Sequence, residues 1–259
     1  MTARVFPHNP RPDLDHLHKL QRNLIERVEW ERARLVSARE DGNYRIFEGL
    51  ARDALKSAGF AWFLDGDVEA MGRWLDVAAD AAADAVRLDA DLPVGNFITW
   101  AETAVVRGHR ELVGLIAGLA DSRDWATAGG VIATGALSLE LATVCALAAD
   151  PVDDTAAGLA AEAWAGLDWD RQDPDVELTN RSLAQIAVAV TRGDTDGYHE
   201  AFARRHDDFV ECYSRPDDRN NGFRYYDQPA LARVVDARRR GLPDPEPTIY
   251  APYAAIKET

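Results

Sequence analysis

Val190-Thr191-Arg192-Gly193-Asp194 closes one apolar-periodic segment and opens the next. The same punctuation stands at Phe63-Leu64-Asp65-Gly66-Asp67 and at Val105-Val106-Arg107-Gly108-His109. In each, apolar residues at helical spacing stop at a Gly, a polar residue follows, and a second periodic segment begins. The glycines are 42 and 85 residues apart, the second interval close to twice the first. A missing member should fall near 150, where Leu147-Ala148-Ala149-Asp150-Pro151 supplies another helix stop. The spacing predicts an all-α fold, an array of antiparallel helical hairpins with a period of about 42 residues.

Outward from these turns, periodicity predicts helices over 14–39, 44–64, 68–88, 94–106, 111–119, 130–149, 154–167, 178–191, 194–213 and 230–240. Asp13 can cap the first. Gly49 and Gly59 weaken the second by up to about 1 kcal/mol each relative to Ala. The 130–149 segment is apolar almost all round, as expected of the buried centre of the array. Residues 121–128 form a break containing Trp125, and 214–224 read as a long polar loop. Residues 1–12 read as an irregular arm, 13–241 as a single helical domain, and 242–259 as a Pro-rich tail packed on it. No alternating strand set is present.

The 259 residues carry a formal net charge of −15, unevenly spread: residues 1–40 sum to +2 and the remainder to −17. An acidic body argues against nucleic acid as a direct partner, because phosphate binding needs a basic surface. It suits a basic protein partner, which it would attract and steer. No apolar run approaches a bilayer span and the first residues lack a secretory core, so a cytoplasmic chain with no membrane partner is expected. Cys145 and Cys212 are too few for a cysteine zinc site and read as buried thiols.

Catalytic motifs are sparse. Asp13, Asp15, His16 and His18 spread round a helix and do not converge on one ion. His206-Asp207 is the dipeptide of metal-dependent phosphohydrolases, with His199 two turns upstream and His109 at a turn, but it needs further ligands. His199-Glu200 is followed by no second His at zincin spacing. Gly129-Gly130 follows no strand, so it is not a dinucleotide loop. No cofactor is implied.

Two acidic features stand out instead. Asp76, Asp80 and Asp84 line one helix face at i, i+4, i+8, where like charges repel by a few tenths of a kcal/mol per pair. Residues 168–177 hold Asp168, Asp170, Asp173, Asp175 and Glu177 against Arg171, with Trp169 among them, and read as a rim loop. Trp169 is either a loop anchor or an aromatic interface contact.

The C-terminal third runs from Leu183-Ala184-Gln185-Ile186-Ala187-Val188-Ala189-Val190 through Thr191-Arg192-Gly193-Asp194 to a helix with Phe202 and His206. A polar loop, Leu231-Ala232-Arg233, Arg240-Gly241 and Tyr250-Ala251-Pro252 follow. In this order it resembles the all-helical immunity proteins of bacterial polymorphic toxin systems, in particular the immunity protein 49 family. Gly193 between Arg192 and Asp194, and the Pro-rich link before Tyr250, depart from that family's pattern. The resemblance implies a non-enzymatic inhibitor that binds a co-encoded toxin stoichiometrically. The acidic body makes a basic toxin the expected partner, met by Asp76, Asp80, Asp84, Asp168, Trp169, Asp170, Asp173 and Asp175. A homodimer is compatible with the same features. The competing expectations are a helical-repeat scaffold and a helical metal-dependent hydrolase using His199, His206, Asp207 and His109.

Overall fold

The computed structural model describes residues 6, 7, 9, 12–120, 135–214 and 221–257. Among them are eleven α-helices and no strand, so the chain is all-α. Helices α1 (Leu14–Arg32), α2 (Leu35–Glu40), α3 (Tyr44–Phe60) and α4 (Val68–Arg87) come first, with a π-helical turn Ala61–Asp65 ending α3. Helices α5 (Val94–Arg107), α6 (Arg110–Ala120), α7 (Gly135–Ala148) and α8 (Asp154–Ala165) follow. Then come α9 (Pro174–Arg192), α10 (Thr195–Tyr213) and α11 (Gln228–Arg239). Trp125, Gly129-Gly130, Val131 and Ile132 lie outside the described residues.

Aspartates start most of these helices. The side chain of Asp13 accepts from His16 N, Asp67 from Ala70 N, Asp153 from Ala156 N and Asp194 from Gly197 N, at 2.8–3.0 Å. Each satisfies an amide that the first helical turn leaves without a partner. Gly66, Gly108 and Gly193 end their helices at φ of +64°, +66° and +68°, where a side chain would be strained. Near 150 the stop is Asp150-Pro151, without a left-handed glycine.

Helix α3 packs along α4, α5 on α6, α7 on α8, and α9 along α10. The pairs do not form an open stack. Helix α11 returns to pack on α5 and α9, and the short turn Gly222–Tyr225 returns to α3. Helix α7 touches α5, α6, α8 and α9, which accounts for its apolar circumference. The first helix is broken, against the expectation of one helix to about residue 39. A turn at Ala33-Arg34 redirects the chain so that Leu35 and the buried Ala38 reach α3.

Two glycines permit a close crossing of the 221–225 segment over α3. A Cβ on Gly59 would lie 1.8 Å from the carbonyl oxygen of Gly222, and a Cβ on Gly222 would lie 2.3 Å from that of Lys56. Above this crossing Tyr225 stacks on Phe63 at 4.0 Å, and Phe6 meets Phe63, Tyr225 and Tyr250 edge-on at 5.1–5.5 Å. Phe6 and Tyr250 are fully buried, so part of the N-terminal arm and part of the Pro-rich tail belong to the core.

Candidate functional site

The structure does not present Asp76, Asp80 and Asp84 as an open acidic ridge. Asp76 receives Arg107 Nε at 2.8 Å and Nη2 at 2.9 Å, and Arg107 Nη1 also donates to the carbonyl of Ala255 at 2.5 Å. Asp84, a sixth exposed, pairs with Arg39 and with Arg87 at 3.0 Å. Asp80 alone stands out, at 76% exposure. His109 Nδ1 accepts from Leu112 N at 3.2 Å, so Nε2 carries the hydrogen and donates to Asp80 at 3.2 Å. Two of the three carboxylates are thus cross-ties between α4 and its neighbours, which removes the repulsion that i, i+4 spacing suggested.

The acidic stretch 168–177 is also corrected. Trp169 is 6% exposed and donates its Nε1 to the carbonyl of Ala165 at 3.3 Å, so it is a packing anchor and not an exposed contact. Asp168 and Asp170 are exposed on the 3₁₀ turn Trp169–Arg171. Asp173 caps α9, accepting from Asp175 N at 2.9 Å, and Asp175 and Glu177 lie in the first turn of that helix. Negative charge there interacts favourably with the amide end of the helix, which explains half of the stretch on local grounds.

What the structure does assemble is a groove of about 450 Å³ between the start of α9 and the end of α10. Asp175, Glu177, Asp208 and Glu211 wall it, against Arg181 and Arg204. Both arginines have carboxylate partners, Arg181 to Glu177 at 2.8 Å and Arg204 to Glu200 at 2.9 Å. Among the described lining residues, four carboxylates thus stand against two arginines. Asp208 and Glu211 were not singled out from the sequence. Their spacing on α10 opposite the acidic start of α9 is visible only once the two helices are paired.

The histidines are not brought together. His199 Nε2 lies 3.2 Å from the carbonyl of Pro243, His206 tilts against Tyr250 at 5.5 Å, and His109 meets Asp80. Among the described residues no three His, Cys, Asp or Glu side chains stand where they could share an ion. Nor is any described helix long and apolar enough to cross a membrane.

No family model, characterised protein or solved structure matches this chain. Its chemistry is read from its own residues.

The core holds a polar network that the sequence only hinted at. Arg205 on α10 grips Asp227 through Nε at 2.7 Å and Nη2 at 3.0 Å, and donates Nη1 to the carbonyl of Thr179 at 2.7 Å. Asp227 also caps α11, accepting from Ala230 N at 3.2 Å. Arg233 Nη1 approaches Asp236 to 3.0 Å, at an angle too poor for a hydrogen bond, and both residues are buried. Glu102 on α5 and Glu140 on α7 complete the set. Burial pushes the Glu140 carboxyl up to about 7, and burial together with Glu140 holds Glu102 well above the usual carboxylate range. The signal for both was a single carboxylate inside an otherwise apolar helix, Trp100-Ala101-Glu102-Thr103-Ala104 and Leu139-Glu140-Leu141.

Proposed function

We propose that this chain is a non-catalytic inhibitor of the immunity type, which neutralises a basic protein toxin by stoichiometric contact along the α9–α10 groove. The observation that carries the reading is the groove itself, with Asp175, Glu177, Asp208 and Glu211 on facing helices. Asp168, Asp170 and Asp173 lie just ahead of it in the chain and are exposed. A net charge of −15 extends the same field over the rest of the molecule. The resemblance of the C-terminal third to the immunity protein 49 family points the same way. Such a surface raises the association rate and makes it sensitive to salt, because exposed charges are screened over about 8 Å at physiological ionic strength.

The test is affinity capture from the cell of origin, with the intact protein and an Asp208→Lys, Glu211→Lys double variant as baits. One basic protein, retained at low salt by the native bait and at least ten-fold less by the variant, is the expected result. Equal retention by both baits, or a captured partner that is acidic, refutes the groove as the contact.

A further inference from the structure

A second cavity, about 250 Å³, lies on the adjacent side of the same end of α10. Its rim is made by the half-buried Tyr213, Phe223 and Arg224, and its floor by Phe209, Arg205 and Glu102. Glu102 is 3% exposed and lines the cavity, yet its carboxyl receives no hydrogen bond from any described residue. Carboxyl groups buried to that degree are ordinarily hydrogen-bonded or ion-paired.

The neighbouring cations point their donors elsewhere or leave them unused. Arg205 spends Nε and both Nη atoms on Asp227 and the carbonyl of Thr179. Arg233 is paired with Asp236. The charges of Arg233 and Arg205 reach Glu102 and Glu140, but among the described residues neither cation hydrogen-bonds to either carboxyl. Among the described residues Arg224 is a further positive group on the rim, and its guanidinium lies 3.7 Å over the Tyr213 ring. The largest charge effects on Glu102 come from Glu140, Arg233, Asp227 and Arg205. The placement of Arg224 shows that this rim accepts a guanidinium on an aromatic face. The cavity falls below the 300–1,000 Å³ usual for cofactors and drug-sized ligands, and suits one long side chain or a fragment of that size.

We propose that the Glu102 cavity takes a single guanidinium or ammonium head on an alkyl stem, with the head on the Glu102 carboxylate and the stem along Phe209 and Phe223. Two sources offer that chemistry: an Arg or Lys side chain of a partner lying on α10, or a free small molecule. The first source rests on the inhibitor reading above; the second stands without it. A guanidinium supplies two parallel N–H donors to a carboxylate and stabilises the ionised form that burial disfavours. Where Glu102 is protonated before binding, the cation displaces that proton to solvent.

The probe is n-butylguanidinium, titrated calorimetrically into the intact protein, with n-butylurea as the uncharged analogue. Saturable 1:1 binding is expected, with a dissociation constant on the order of 1 mM for so few atoms. Glu102→Gln should weaken it at least ten-fold, and n-butylurea should not saturate. The binding heat should vary with the ionisation enthalpy of the buffer, reporting the displaced proton. Equal binding of the urea, or no saturation by about 100 mM of the cation, overturns the proposal on the native protein alone, whatever the variant does. Failure here leaves the α9–α10 groove reading intact, since that is judged by partner capture. With a partner in hand, competition by n-butylguanidinium assigns the site to a partner side chain, and simultaneous binding assigns it to a free molecule.

Discussion

Replacing Gly59 by Ala tests whether the crossing of the 221–225 segment over α3 is as tight as the backbone indicates. The added Cβ would sit 1.8 Å from the Gly222 carbonyl oxygen. Carbon–oxygen contacts do not normally fall below about 3.3 Å, so the segment must retreat by roughly 1.5 Å. The obstacle is backbone and cannot rotate away. Retreat also pulls Tyr225 from its 4.0 Å stack on Phe63 and loosens its edge contact with Phe6. Overpacking of this kind costs about 3 kcal/mol at the upper end of its usual range, and the helix propensity gained returns about 1 kcal/mol. The net loss is about 2 kcal/mol, or a melting temperature roughly 4–8 °C lower for a chain of this length. Gly114→Ala on α6 is the control, because nothing lies within 4 Å of its Cβ; it should gain up to about 1 kcal/mol. Both variants are compared with the native protein by thermal and urea unfolding. If Gly59→Ala melts at or above the native temperature while Gly114→Ala behaves as expected, the close-crossing argument is wrong.

Three further outcomes follow from the charged groups. Glu140, pushed up to about 7, and Glu102 hold protons in the folded state that the unfolded chain releases near 4.5. The contribution of Glu140 to stability is therefore full below about pH 4.5 and is lost as pH rises through about 7, and that of Glu102 is lost in the same direction; Glu140→Gln should flatten the fall in urea midpoint between pH 5 and 8, and parallel curves would contradict it. Asp227→Asn strands the buried Arg205 guanidinium and should cost about 3–5 kcal/mol by urea unfolding; a loss below about 1 kcal/mol would mean that Arg205 is stabilised elsewhere. Asp76→Ala, which breaks the two-pronged Arg107 contact at a half-exposed site, should cost about 1 kcal/mol, whereas Asp80→Ala should stay within about 0.5 kcal/mol. Equal melting temperatures for these two variants would reinstate the picture of a solvated ridge.

The helices were legible where sequence and local physics coincide. A Gly followed by a capping residue at 66 and 193 marks a turn whatever surrounds it, and apolar spacing recovers α3, α4, α10 and α11 nearly to their ends. The break at Ala33-Arg34 was not legible, because it serves the reach of Ala38 to α3 and no breaker residue marks it. Asp173-Pro174 is a cap followed by a proline in the first turn, a recognisable helix start, but its acidic surroundings suggested a loop. The sequence left Trp169 open between loop anchor and interface contact because its neighbours are charged; on a tight turn those neighbours point outward while the ring turns in, as the anchor reading expects. Gly59 looked like a weak point of α3 because a helical glycine has a known cost, and the chain it accommodates lies more than 160 residues further on. The candidate groove and the Glu102 cavity both depend on such distant pairings, so no local pattern could specify them.

That crossing also sets a schedule for synthesis. Helices α1 and α4 cover α3 from early in the chain, but the Gly222–Tyr225 turn that completes its packing lies more than 150 residues further on. At ordinary elongation rates of 5–20 residues per second, the nascent chain carries Phe60 and Phe63 without Tyr225 for roughly 8 to 32 s. Over that interval the ring of Phe63 lacks its stacking partner, so the packing of this face is finished only when the distant segment arrives.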